Sequence, residues 1–130
     1  MTNFEKVKNY LLDMEHEITH ENAADNILVV TNEGKGVCNM VLDCEGEVLV
    51  MEQHILDLNS TNENIYKKIL QINRFLVHGA YVLDESGKKL IFRDTLALEN
   101  LDKNELESSF SALSISLVEN SNEFMSLAKK

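Results

Sequence analysis

The stretch from His78 to Glu105 constrains the fold most, because its local signals are dense and agree with one another. Tyr81-Val82-Leu83 and Leu90-Ile91-Phe92 are apolar, β-favouring runs. Between them Asp84-Glu85-Ser86-Gly87-Lys88 supplies the acid, hydroxyl and glycine of a hairpin loop. Further on, Asp102-Lys103-Asn104-Glu105 has the form of a capping box, with the Asp102 carboxylate placed to accept from the N–H of residue 105 and Glu105 to reach back. The stretch therefore predicts strand, turn, strand, polar break and the start of a long helix. None of it is catalytic.

The remaining elements are read from periodicity. Phe4, Val7, Leu11 and Met14, with Ile18, recur at intervals of three and four, so a helix is expected over about 2–16, opened by a capping box from Thr2 to Glu5. His20 to Asn26 has no period and ends it. Ile27-Leu28-Val29-Val30 reads as a strand, and Asn32 to Gly36 as a loop. Val37 to Asp43 and Glu47 to Gln53 form a second hairpin around Cys44-Glu45-Gly46. In the first of these strands Cys38, Met40 and Leu42 share one face, opposite Val37, Asn39, Val41 and Asp43. The second, Val48 to Met51, is apolar on both faces, so something covers both.

A second helix opens at Asn59 and Ser60, with Ser60 as its N-cap, and carries Ile65, Tyr66, Ile69, Leu70, Ile72, Phe75 and Leu76. That stripe is wider than docking on a sheet requires. The last helix is expected from about Lys103 to Ala128, with Leu106, Phe110, Leu113, Leu117, Phe124 and Leu127 inward. Ser108, Ser109, Ser116, Asn120 and Ser121 are expected on its solvated side, and Ile115 and Val118 widen its apolar stripe. The expected fold is α+β: a five-stranded, mainly antiparallel, twisted sheet with three helices in the order α-β-β-β-α-β-β-α, forming one domain over residues 1–130.

Composition excludes several classes of partner. Twenty-two Asp and Glu against twelve Lys and Arg give a formal charge of −10, which repels phosphate backbones and anionic lipid. Neither nucleic acid nor a membrane surface is an expected partner. No apolar run approaches the roughly 20 residues of a membrane-spanning helix, and the N-terminus lacks the apolar core of a signal peptide, so the expected location is cytoplasmic. Cys38 and Cys44, placed at two ends of one strand, stand about 20 Å apart at roughly 3.3 Å per residue. They are expected to be unbridged, small, buried hydrophobes.

The layout, acidity and amphipathic last helix resemble the Tir-chaperone-like fold of type III secretion chaperones (the CesT-like family), and more closely the bacterial YbjN-type proteins. The likeness is carried by Ile69-Leu70-Gln71-Ile72-Asn73-Arg74 ahead of His78-Gly79-Ala80-Tyr81, by Leu83-Asp84-Glu85, by Phe92-Arg93-Asp94-Thr95-Leu96 and by Leu98-Glu99-Asn100-Leu101. It spans about Thr2 to Ala128. The resemblance implies a homodimer without enzymatic activity or cofactor that holds a segment of a protein partner or secreted client by apolar contacts and strand pairing. Leu49, Met51 and Ile91 are the expected partner-binding residues, and Tyr66, Leu70 and Phe75 the expected dimer contacts. A stress-linked regulatory role of YbjN type is an alternative on the same fold.

A small zinc metallopeptidase is the alternative from another class. His16-Glu17-Ile18-Thr19-His20 fits H-E-x-x-H, which on a helix turns both imidazoles to one metal and sets the Glu beside its water. A third ligand would come from an acid such as Glu33 or Glu52. Five residues are a short pattern, and no strand precedes the helix to bind a substrate peptide. His54 and His78 sit at element boundaries and suggest surface roles. Gly34-Lys35-Gly36 lacks either nucleotide fingerprint. Arg93 and Asp94, adjacent on a strand, point to opposite faces and need separate partners, with Asp94 on the side of Leu90, Phe92 and Leu96.

Overall fold

The computed structural model describes residues 1–130. Helix α1 (Asn3–Asp13) opens with the expected capping box: Glu5 N donates to Thr2 Oγ1 and Thr2 N to the Glu5 carboxylate, each at 3.1 Å. Its inner stripe is Phe4, Val7 and Leu11. The helix ends earlier than its period suggests, since Glu15 adopts φ 62° and reverses the chain. Strand β1 (Glu17–Asn22) comes next, so the expected five strands become six. Its sequence, EITHEN, has one apolar residue and no strand signature of its own. Pairing with β2 (Ile27–Asn32) imposes the conformation, with Ile18 opposite Val30 and Glu21 opposite Leu28.

A 3-10 turn (Glu33–Lys35) leads to β3 (Val37–Glu45) and β4 (Val48–Asp57), joined by a hairpin at Gly46. After α2 (Glu63–Asn73) come β5 (Ala80–Leu83) and β6 (Lys89–Ala97), the hairpin expected from its turn chemistry. Within that turn the Asp84 carboxylate accepts from Ser86 Oγ at 2.7 Å and Lys89 N at 3.2 Å, and the Ser86 bond foremost holds its pKa below the usual carboxylate range. The sheet runs β1-β2-β3-β4-β6-β5 and is antiparallel throughout. Helix α3 (Lys103–Glu119) is capped by Asp102, which accepts from Glu105 N at 2.8 Å.

Four helices replace the expected three, because the last one breaks at Asn120 into α3 and α4 (Ser121–Leu127). The Asn120 side chain donates to the Ser116 carbonyl at 3.0 Å, satisfying a helix-end acceptor and letting α4 turn. Phe124 then meets Tyr81 edge to face, centroids 5.0 Å apart. Helix α2 also starts later than expected, with Asn62 rather than Ser60 as N-cap, accepting from Asn64 N at 2.8 Å. Gly79 lies beyond its C-terminal end at φ 74°; a Cβ there would lie 2.6 Å from Phe92 Cζ, so the turn needs glycine for conformation and for space.

Helices α1, α3 and α4 cover one side of the sheet, and α2 packs beside β5. The register places Leu28, Leu42, Met51 and Asp94 in one row across the covered side. In β3 the phase differs from the expected alternation. Asn39 takes φ 49° at a break in register, so Val37 joins Met40, Leu42 and Cys44 in the core while Cys38 turns outward. The expectation that both thiols are buried therefore holds for Cys44 alone. No helix is long and apolar enough to cross a membrane.

Candidate partner-binding surfaces

The three residues expected to meet a partner do not lie together. Leu49 and Met51 are both 0% exposed, on the helix-covered side, Leu49 opposite Cys44 and Met51 opposite Leu42. This corrects their assignment: both belong to the core. Alternation along β4 sends Val48, Val50 and Glu52 to the other face, and it is that face which no helix covers. Ile91 lies on this open face, half-buried between His54 of β4 and Val82 of β5.

Besides Ile91, the open face carries Val41 and Val50 around an ion pair between Arg93 and Glu52. A shallow depression of about 330 Å3 lies among Val41, Asp43, Glu45, Val50, Glu52 and Arg93. Burial raises the Asp43 pKa, and the neighbouring Glu45 adds to the shift, so this part of the face resists accumulating more negative charge. Arg93 and Asp94 do take opposite faces. Asp94 accepts from Ser109 Oγ at 2.5 Å on the covered side and from Thr95 N at 2.8 Å.

The Asp94–Ser109 bond supplies a stability prediction. Asp94→Ala leaves the Ser109 hydroxyl, 0% exposed, without its acceptor, and should cost about 2 kcal/mol. In a Ser109→Ala background the same change should cost about 1 kcal/mol less, because no buried donor is then stranded. Urea unfolding of the four variants measures the difference; equal costs in both backgrounds would show that the bond contributes nothing.

The two sheet edges differ. At β5 the Asn73 side chain accepts from Tyr81 N at 2.7 Å and donates to Tyr81 O at 3.0 Å, taking the place of a neighbouring strand. This edge is closed. At β1 no backbone N–H of Glu17–Asn22 bonds outside the ladder with β2, so the edge is free to pair.

Of the expected dimer residues, Tyr66 and Leu70 line an apolar cleft of about 370 Å3 with Ile69, Tyr81, Val82 and Leu83. Tyr66 is partly tied down, its hydroxyl donating to Gly87 O at 2.9 Å. Leu70 is 70% exposed. Phe75 lies beyond the end of α2 and is 77% exposed; with Val77 and Leu76 it borders a groove against Ala112 and Ile115 of α3. Val77 is absent from the expected set, since it lies past the helix and belongs to no periodic stripe.

Helix α3 explains why this side is apolar. Two of its expected solvated serines are instead buried, while Ser108 and Ser121 are not: Ser109 contacts Asp94, and Ser116 Oγ lies 2.7 Å from the Tyr81 hydroxyl. Small polar residues let the helix approach the sheet, while Leu106, Phe110 and Leu113 keep the inward side expected of them. Ile115 and Val118 are left 57% and 77% exposed, three residues apart on one side.

The metal motif loses its geometry, because the helix it needs stops at Asp13. His16 lies in the turn, 4% exposed, and His20 on β1, exposed. Of the expected third ligands, Glu33 belongs to the 3-10 turn and Glu52 is paired with Arg93. No three His, Cys, Asp or Glu residues are grouped to hold a metal ion. His54 bonds Asp57 at 2.9 Å, and Lys89, then His54, holds the Asp57 pKa below the ordinary value.

His16 has a structural consequence of its own. Its ring stacks on Phe110, and burial, then the nearby Lys35 charge, lowers its pKa from 6.5. The unfolded chain then binds the proton more readily than the folded one. The contribution of neutral His16 is complete above pH 6.5 and is lost as pH falls from there to the lower folded value. Urea midpoints at successive pH values between about 7.5 and 5 should therefore fall more steeply in the native chain than in His16→Gln; parallel curves would refute the assignment.

The helix-backed, six-stranded antiparallel sheet matches known folds over nearly its whole length. The family model CesT_Tir_1 matches residues 1–130, and the chain belongs to that family. Among solved structures, YbjN from E. coli superposes with a TM-score of 0.71 at 14% identity, covering 92% of each chain. The type III secretion chaperone SycH from Yersinia pestis, solved with a stable fragment of YscM2, gives a TM-score of 0.62 at 16% identity, over 90% of this chain and 98% of that one. A third similar structure is the HopA1-SchA chaperone-effector complex, with a TM-score of 0.61 at 12% identity over 87% and 90%. No curated protein matches the sequence.

Proposed function

We propose that this chain is a non-catalytic, dimeric, cytoplasmic protein-binding module that holds an extended segment of a partner protein. The observation that carries the reading is the apolar flank on the outer side of α3: Ile115 and Val118 are exposed beside exposed Phe75 and Val77, while the same helix buries Ser109 and Ser116. A chain that leaves such side chains in water while sinking serines has a use for the apolar flank. A second copy fits it, bringing Leu70, Phe75, Val77, Ile115 and Val118 of each protomer together across a two-fold axis.

The partner segment is assigned to the open sheet face, on Val41, Val50 and Ile91, with pairing at the free β1 edge. Asn73 argues against pairing at β5. Chaperone membership supports the role, as do the SycH and SchA relatives, each solved with a protein partner. Two unbridged cysteines agree with a reducing compartment.

The test is capture from native cell extract, with light scattering and protease mapping of the complex. A dimer that protects one extended segment of a single protein, and releases it when Ile91 is changed to Asp, is the expected result. A monomer, or capture that Ile91→Asp leaves intact, would overturn it.

A further inference from the structure

Where the end of α1, the 3-10 turn and α3 meet, a cavity of about 340 Å3 opens. Its walls come from segments far apart in sequence: Met14 and His16 after α1, Lys35 from the turn, and Glu107, Phe110 and Ser111 from α3. It does not include the open sheet face, Phe75 or Val77. It adjoins the proposed dimer flank at Ile115, which borders both, but uses none of the other residues of that flank.

The floor is apolar and the groups around it are unusually uncommitted. His16 is 4% exposed, its ring centroid stands 4.3 Å from Phe110, and Nδ1 is the one buried side-chain polar atom in the molecule with no hydrogen-bond partner. With Nδ1 sealed in the protein, Nε2 is the ring nitrogen left for a ligand. A bare lone pair is better tolerated at Nδ1 than a bare N–H, which puts the proton of the neutral ring on Nε2. Lys35 takes part in none of the molecule's ion pairs. Its backbone carbonyl accepts from Ser114 Oγ, which pins the turn against α3. Glu107 has only a loose pair with Lys103, at 3.8 Å.

These groups select a ligand by charge. A simple anion would suit Lys35 and the imidazole N–H but meet Glu107; a simple cation would meet Lys35. A molecule carrying both charges satisfies both. Spacing narrows it further. The Lys35 backbone carbonyl is tied to Ser114, seven residues from Glu107, so the two side chains spring from points about 10 Å apart along the helix axis at 1.5 Å per residue. A single amino acid is too short to span that without long reaches from both side chains. A dipeptide, at roughly 3.5 Å per residue, separates its charged ends by about 7 Å, and side-chain length makes up the rest. The volume lies at the small end of ligand sites, which begin near about 300 Å3.

We propose that this cavity binds a short peptide of two or three residues with free termini and an apolar side chain. Its carboxylate lies on Lys35 and the His16 Nε2–H, its ammonium on Glu107, and its side chain on Met14 and Phe110. Charged groups facing His16 from the packed elements are Lys35 and Glu107, with Glu15 and Glu17 on either side of it in sequence. A ligand carboxylate beside the ring would favour the imidazolium and raise the His16 pKa, opposing the downward effect of burial and Lys35.

The experiment titrates the isotopically labelled full chain with the dipeptide Leu-Leu up to about 10 mM, a range that detects millimolar affinity. Shifts at His16, Lys35 and Ser111 are expected, together with a raised imidazole titration midpoint at His16. N-acetyl-Leu-Leu and Leu-Leu amide should each bind about tenfold more weakly, the loss of one charge-assisted contact. Lys35→Met should lose a similar factor for Leu-Leu and distinguish the acid from the amide less sharply, since the His16 Nε2–H contact remains. The blocked dipeptides act on the native chain, so the result does not depend on the variant folding. No shift at His16 and Ser111, either blocked dipeptide binding as tightly as Leu-Leu, or acetate binding as tightly as Leu-Leu would each overturn the proposal.

Discussion

Met51→Asp is expected to unfold the domain. Met51 is 0% exposed at the middle of a row running from Leu28 through Leu42 to Asp94. Removing its burial forfeits about 2 kcal/mol, and an ionised carboxylate in its place has no cation to pair with. Asp94 is the next residue in that row, so the new charge would face an existing one of the same sign. The combined loss of more than about 4 kcal/mol is comparable to the whole stability of a small domain. Circular dichroism and urea unfolding give the answer directly. A folded Met51→Asp protein with weakened partner binding would return Met51 to the surface and contradict the observed register. Ile91→Asp is the matched control on the opposite face of the sheet, where the half-buried side chain can turn to water and the fold should survive.

The second large effect concerns assembly. Phe75→Asp combined with Val118→Asp is expected to convert a dimer to a monomer while leaving the fold intact. Both residues are 77% exposed, so within one chain the new carboxylates remain hydrated. In a two-fold interface each appears twice and must be desolvated without a partner. Loss of an aromatic anchor costs about 2 kcal/mol or more at a well-packed centre, and the added charges raise the loss to at least about a hundredfold in dissociation constant. Light scattering at micromolar concentration separates the cases. An unchanged mass would remove Phe75 and Val118 from the dimer contact, and a monomeric native chain would remove the dimer itself.

The contrast between Met51 and Phe75 shows how far local pattern reaches. Both are apolar residues in excess of what one face requires, and periodicity treats them alike. Tertiary structure separates them. The two-sided apolar character of β4 reflects a helix layer on one side and a valine-rich open face on the other. Val48 and Val50 therefore take the outward positions in which Leu49 and Met51 are expected to meet a partner. The excess on α2 and the loop after it stays exposed because no other part of the chain folds over it.

The hairpin at Asp84–Lys88, the Thr2 and Asp102 caps, and the apolar stripe of α1 are legible because each rests on contacts within a few residues. The antiparallel pairing within the β3–β4 and β5–β6 hairpins is legible from turn chemistry, whereas the pairing of β4 with β6 is not. Nor is strand β1. Its residues favour no conformation strongly, and it exists because β2 offers a ladder to pair with. The zinc-like motif disappears for the same reason, since the helical spacing it requires is taken over by that strand.

The sequence by itself determined which segments are helix or strand wherever caps, turns and periods act over about three to five residues. What only the tertiary structure decided is which side of each element is used. Ser109 and Ser116 read as solvent-facing, yet one meets Asp94 and the other Tyr81. Those partners lie on strands distant in sequence, so nothing local to α3 marks its two hydroxyls as buried. The physical reason is that a buried polar group demands a partner wherever the fold supplies one. An apolar group accepts any dry surface, including another chain's.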